Sequence, residues 1–190
     1  MKHPLKIALI STLLLLAACS SQTITFHTLT PEYLPTARSN AAGTDAGAIR
    51  IESISVPPQV DRPQIVIRQG ASGVAILETQ WWAASLADEM RSALVDQLAN
   101  SNPGQSMLLR VEVQRFDSVP GQYALLDVKW RLRPASGTDH PALTCRTTVQ
   151  SPAGPSIDEV VLAHQNNLKR FATLISQVVD RSSSQCPTAP

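Results

Sequence analysis

Between Met107 and Leu132 the sequence keeps a two-residue rhythm, and nothing else in the chain narrows the choice of fold as much. Met107, Leu109, Val111 and Val113 alternate with Leu108, Arg110, Glu112 and Gln114. After the turn signal Pro120-Gly121, Ala124, Leu126, Val128, Trp130 and Leu132 share one face, while Tyr123, Asp127, Lys129, Arg131 and Arg133 share the other. Successive side chains of a strand point to opposite faces, so this pattern describes two long strands with one apolar and one polar side. An apolar sheet face needs a cover, and the rest of the chain has to supply it.

The cover is legible in two places. Trp82, Leu86, Met90, Leu94 and Leu98 recur every four residues, a helical stripe that Asn102-Pro103-Gly104 closes. Val161, His164, Leu168, Phe171, Ile175 and Val178 follow at spacings of three and four, opened by a capping box of Ser156 and Glu159 and running to about Arg181. Further strands are expected at IRIESISV, where the apolar phase changes between Ile51 and Ile54 and implies a bulge. IVIRQ and VAILET flank the hairpin signal GASG, and LTCRTTV is the last strand. The expected class is an α/β fold in the broad sense, an α+β sandwich. It has a mixed sheet of about six strands covered by two main helices, in the order β-β-β-α-β-β-β-α, with no internal repeat.

The ends of the chain point to a compartment. Lys2, His3 and Lys6 precede an apolar run from Ile7 to Ala18, too short to cross a bilayer core of about 30 Å as a helix, which takes roughly 20 residues. This is the layout of a secretory signal, and Leu16-Ala17-Ala18-Cys19 resembles the bacterial lipobox, after which Cys19 becomes the acylated first residue. Several acyl chains hold a soluble domain durably where one would be marginal. Ser20 and Ser21, with no Asp after Cys19, resemble the sorting signal for the outer membrane. The expected organisation is a signal peptide at 1–18, a lipidated N-terminus and flexible tether at 19–48, a periplasmic domain at 49–181 and a C-terminal tail at 182–190. The composition TARSNAAGTDAGA is what marks the tether. Loss of 1–18 removes two of 16 basic residues and no acid, leaving 14 against 15 and a net charge near −1. That balance gives no reason to expect nucleic acid as a partner. With Cys19 acylated, Cys145 and Cys186 remain. In an oxidising periplasm they form either a disulfide fixing the tail or two unrelated thiols, since spacing does not set a Cα separation.

Catalytic and metal-binding patterns are missing from the sequence. His27, His140 and His164 have no partner at zinc-ligand spacing, and His164 lies on an apolar stripe where a packed imidazole is expected. There is no G-x-S-x-G elbow, phosphate loop or H-E-x-x-H. Cys145 sits mid-strand, away from any helix N-terminus that would activate a thiolate. Asp158 and Glu159 suit the dipole of a first helical turn without any catalytic role. No metal, no cofactor and no enzyme activity are expected.

Three stretches carry a family resemblance: VPPQVDRPQIVIR, QWWAASLADEMRSALVDQL and LRVEVQRFDSVPGQYALLDVKWRL. They resemble the PqiC/YmbA family of ABC-type transport auxiliary lipoproteins, whose pattern runs roughly V-x-V-P-x-x-L-D-R-P-Q-I-V-x-R, then R-W-A-x-P-L opening a helix, then V-x-V-x-R-F-[DE] and a strand ending W-x-L. Asp61 to Val66, Val111, Val113, Arg115, Phe116, Asp117, Trp130 and Leu132 match. Trp81, Ser85 and Phe26-His27 depart from it. The resemblance implies a non-enzymatic, cofactor-free lipoprotein anchored in the outer membrane and forming homo-oligomers. Its implied partners are an MCE-domain tunnel protein and an inner-membrane transport subunit, in a system that moves lipids between membranes and supports membrane integrity.

In that setting the proline-rich stretch before the third strand is the candidate contact. Proline reduces the entropy lost when a segment is held against a partner and blocks strand addition at an edge. Arg62 offers a planar fork to acceptors across an interface. Val60, Asp61, Arg62, Pro63, Gln64 and the off-stripe Trp81 are therefore the expected partner contacts, against the plainer reading that Asp61 and Arg62 pair locally. Trp82 and Trp130 are expected in the core, and the polar face Asp127, Lys129, Arg131, Arg133 reads first as solvated and second as a subunit contact. The rival classes are a periplasmic lipid or small-molecule binding lipoprotein, which needs an apolar cavity, and a membrane-fixed enzyme.

Overall fold

The computed structural model describes residues 22–32, 49–99, 101, 106–136, 142–180 and 185–188. Strand β1 spans Thr25–His27, β2 Ile49–Ser55, β3 Gln64–Gln69 and β4 Gly73–Trp82; helix α1 spans Leu86–Leu98. Strands β5 (Met107–Val119), β6 (Tyr123–Pro134) and β7 (Leu143–Pro152) follow, and helix α2 (Ile157–Asp180) closes the order. The α+β class holds, with two helices, but the strands divide into two mixed sheets instead of one. A three-stranded sheet has the order β1-β4-β3 and a four-stranded sheet the order β2-β5-β6-β7.

The division has a simple cause. β2 pairs parallel with β5, so the β3–β4 hairpin between them is left outside and builds its own sheet. The phase change in β2 is a bulge, where the register with β5 shifts between Ile51 and Ser53. Gly70, at φ 63°, allows the β3–β4 turn, and Gly121, at φ 74°, the β5–β6 turn, a backbone region that side chains with a Cβ rarely enter. The N–H of Asp88 bonds to the Ser85 hydroxyl at 3.2 Å, capping α1. At α2 the Ser156 N–H and Oγ both donate to Glu159 while the Glu159 N–H returns to Ser156 Oγ, the reciprocal capping box.

Helices α1 and α2 cover the apolar side of the larger sheet. The Trp130 ring meets Phe171 edge to face at 6.1 Å, and its indole N–H donates to Thr147 Oγ1 at 2.9 Å. Burying an apolar or aromatic side chain of this size contributes about 1.5–3 kcal/mol. Where the two sheets and α2 converge, Trp82 packs edge to face on Phe116 at 6.2 Å and His164 stacks on Phe116 at 3.8 Å. Trp82 is thus a core residue as expected, but it ends β4 instead of heading the helix; its spacing to Leu86 happens to fall in phase with the stripe.

Residues 25–30 belong to the folded body, so the tether reading does not describe them. β1 pairs parallel with the end of β4, and Leu29 is fully buried in the core. The composition-based tether residues from 33 to 48, the signal segment 1–18, Cys19 and the turn at Asn102–Gly104 lie outside the described residues. Cys145 and Cys186 are bonded, with Cα atoms 5.6 Å apart, tying the C-terminal residues to β7.

Candidate docking site

The stretch 57–63 forms a loop whose backbone is fixed from within. The Pro57 carbonyl accepts the N–H groups of Val60 at 3.0 Å and Asp61 at 3.1 Å, and the Val60 carbonyl accepts that of Arg62 at 2.9 Å. Pro63 donates nothing, yet its carbonyl accepts the Trp82 N–H at 2.7 Å, which locks the loop to the end of β4. On the other side of β4, the His27 carbonyl accepts the Ala83 N–H at 2.8 Å. Three segments distant in sequence are thereby drawn to one corner.

That corner holds an open cleft of about 490 Å³ lined by Phe26, Asp61, Arg62, Pro63, Trp81 and Ser85 among others. Phe26 lies opposite Trp81 in the β1–β4 register, and Gln64 opposite Trp81 in the β3–β4 register. The Phe26 and Trp81 rings meet edge to face at 6.3 Å. Trp81 is half-buried, and its indole N–H donates to the Glu78 carbonyl at 2.9 Å. Phe26 keeps 62% of its surface exposed, high for a phenylalanine beside a cleft.

Of the six expected contacts, the structure brings Asp61, Arg62, Pro63 and Trp81 together and sets Gln64 beside them. Val60 is corrected: at 6% exposure it faces the core and offers no surface. Among the described residues neither Asp61 nor Arg62 has an ion-pair or side-chain hydrogen-bond partner, so the local-pair reading has no support there. Arg62 Nε is buried with no hydrogen bond, which leaves the guanidinium at the cleft lacking a partner among the described residues. Phe26, which sequence reasoning did not select, is part of the site; its signal was the departure from the family pattern at that position.

The polar face of β6 is less solvated than its alternation implied. Asp127 is buried at 3% exposure because the Arg146 guanidinium clamps it through two bonds of 3.0 and 2.6 Å. Hydrogen bonding from Arg146 holds the Asp127 carboxyl below the usual carboxylate range. Arg133 and Arg110 both reach Glu52, at 2.9 and 3.4 Å, while Lys129 and Arg131 are exposed. Among the described residues no group of three or more His, Cys, Asp or Glu could hold a metal ion, and no helix is long and apolar enough to cross a membrane.

The fold and this site define a small disulfide-tied α+β body that presents a rigid, charged and aromatic corner. The chain belongs to the family of ABC-type transport auxiliary lipoprotein components, whose model matches residues 27–176. This is a transport auxiliary family and not a known enzyme family. No curated protein matches the sequence significantly. Among solved structures, the chain is similar to a crystal structure of an uncharacterised protein (TM-score 0.63, 14% identity, covering 83% of this chain and 99% of the other). It is also similar to a Xanthomonas campestris protein of the DUF330 family (TM-score 0.59, 19% identity, covering 85% and 95%). At such identities the likeness establishes the shared fold.

Proposed function

We propose that the chain is an outer-membrane-anchored docking component, without catalytic activity or cofactor, of an MCE-type intermembrane lipid transport system that supports membrane integrity. Acylated Cys19 holds it at the periplasmic face of the outer membrane. The rim Asp61–Gln64 with Trp81 engages the MCE-domain tunnel protein, which an inner-membrane transport subunit serves from the other side, and copies of the chain assemble as a homo-oligomer. The observation that carries the reading is the rim itself. Its backbone is held by internal hydrogen bonds while the Asp61 and Arg62 side chains have no partner among the described residues. A charged, pre-ordered surface binds without the ordering cost that a flexible one bears.

Co-purification from native envelopes tests it. The wild-type chain is expected to bring down an MCE-domain protein and to fractionate with outer membrane. Arg62→Glu should lose the partner but keep the membrane, and Cys19→Ser should lose palmitate labelling and the membrane. An Arg62→Glu chain that folds and still retains the partner would refute the rim as the contact. A second reading, a lipid or small-molecule binding lipoprotein, draws on the aromatic wall of the same cleft. A monomer carrying bound phospholipid in native mass spectrometry would select it.

A further inference from the structure

Residues 27–29 are fastened to the body at several points. His27 Nε2 meets Gln80 Oε1 at 2.6 Å and its Nδ1 lies 3.3 Å from Asp158. The buried Glu89 carboxylate on α1 accepts both the Thr28 hydroxyl at 2.7 Å and the Leu29 N–H at 2.8 Å. Gln165 of α2 donates to the Thr28 carbonyl at 3.0 Å, and Leu29 is wholly buried. A chain running from an anchor at Cys19 therefore meets a fixed point of the body within a few residues.

Six residues lie between Cys19 and Phe26, and the seven Cα-to-Cα steps that join them span at most about 25 Å when fully extended. A domain of this size has a radius of gyration of about 15 Å and is roughly 40 Å across. The tether is shorter than the body, so the body cannot turn its β1 edge away from the membrane that holds Cys19. That edge exposes two apolar side chains among threonines: Ile24 is 40% exposed and Phe26 62% exposed, and Phe26 meets the half-buried Trp81 edge to face. Aromatic residues favour the level of lipid headgroups, where one end of the ring is wet and the other is not.

We propose that residues 24–30 form a strap that seats the β1 edge of the body on the phospholipid bilayer holding Cys19, with Ile24 and Phe26 among the lipid headgroups. This rests on the acylation of Cys19 in the proposed function and adds an orientation to it. The docking rim, whose Trp81 touches Phe26, then lies next to the membrane surface, where a partner's end would deliver its cargo.

The test uses the full, acylated chain in vesicles of phosphatidylethanolamine and phosphatidylglycerol with brominated acyl chains. A reporter is placed by Phe26→Trp in a Trp81→Phe background; Trp81→Phe alone gives the baseline of the buried Trp82 and Trp130. The expected result is a blue-shifted reporter that loses about half its emission or more to bromolipid, with reduced quenching by aqueous acrylamide. Protein that floats with vesicles while the reporter stays unquenched and open to acrylamide would overturn the seating and leave the anchor intact. Protein that fails to float would overturn both. The rim's role is read separately, by co-purification.

Discussion

His164 offers a prediction whose size can be worked from the structure. The imidazole is fully buried on α2, stacked on Phe116 and within 2.9 Å of Ser118 Oγ through Nε2, while Nδ1 has no hydrogen-bond partner. Burial without a counter-charge lowers its pKa from 6.5 to about 3. The unfolded chain therefore takes up a proton near pH 6.5 and the folded chain does not. Stability from this group is fully present above that value and falls as the pH drops toward 3. Between pH 7 and pH 5 the loss is about 2 kcal/mol, from 1.36 kcal/mol for each pKa unit. Urea unfolding of the domain with its disulfide intact, at pH 7 and pH 5, should show that loss in the wild-type chain. In His164→Gln the difference should shrink by about the same 2 kcal/mol. Contributions of the other histidines are common to both proteins and cancel. Glu52, Asp127 and Glu159 all have lowered pKa values, so their stabilisation is present above the carboxylate range of the unfolded chain and fades only below it. Equal pH slopes in the two proteins would mean that His164 is solvated or charged in the fold, against its packing on Phe116.

The remaining predictions concern what ties the ends of the chain. Closing the loop between Cys145 and Cys186, 41 residues apart, removes unfolded-state entropy worth about 4 kcal/mol in the chain-entropy model. Replacing both by Ala should thus lower the urea midpoint substantially, and intact mass without reductant should show no free thiol in the wild type. Glu89→Ala leaves the Thr28 hydroxyl and Leu29 N–H without their buried acceptor, a cost of about 1–3 kcal/mol. Hydrogen exchange should quicken at residues 27–30 and not in β6; unchanged protection there would remove Glu89 as the strap's fastener.

Local periodicity carried the elements whose neighbours lie close in sequence. β5, β6 and α2 stand where alternation and the stripe through Phe171 put them, and the Ser156–Glu159 capping box opens α2 as its spacing requires. What was not legible depends on pairing at long range. The split into two sheets follows from β2 choosing β5 across a distance of more than 50 residues, which no window of sequence reports. Trp82 misled because the end of a strand and the start of a helical stripe happened to share a phase. Asp127 reads as solvated until Arg146 is placed opposite Lys129, one strand over. Val60 did carry a signal: a lone apolar side chain between Gln59 and Asp61 in a proline-rich loop is the residue most able to pin that loop to the core. Glu89 carried none, because an acid in a first helical turn is explained by the helix dipole before any partner is sought. Yet Glu89 decides where residues 28 and 29 are held, since it accepts the Thr28 hydroxyl and the Leu29 N–H next to the strand that brings Phe26 to Trp81. The cleft exists because a three-residue strand pairs parallel with the end of β4. The residues that line it could be nominated one at a time, but their meeting at one corner is a property of the strap.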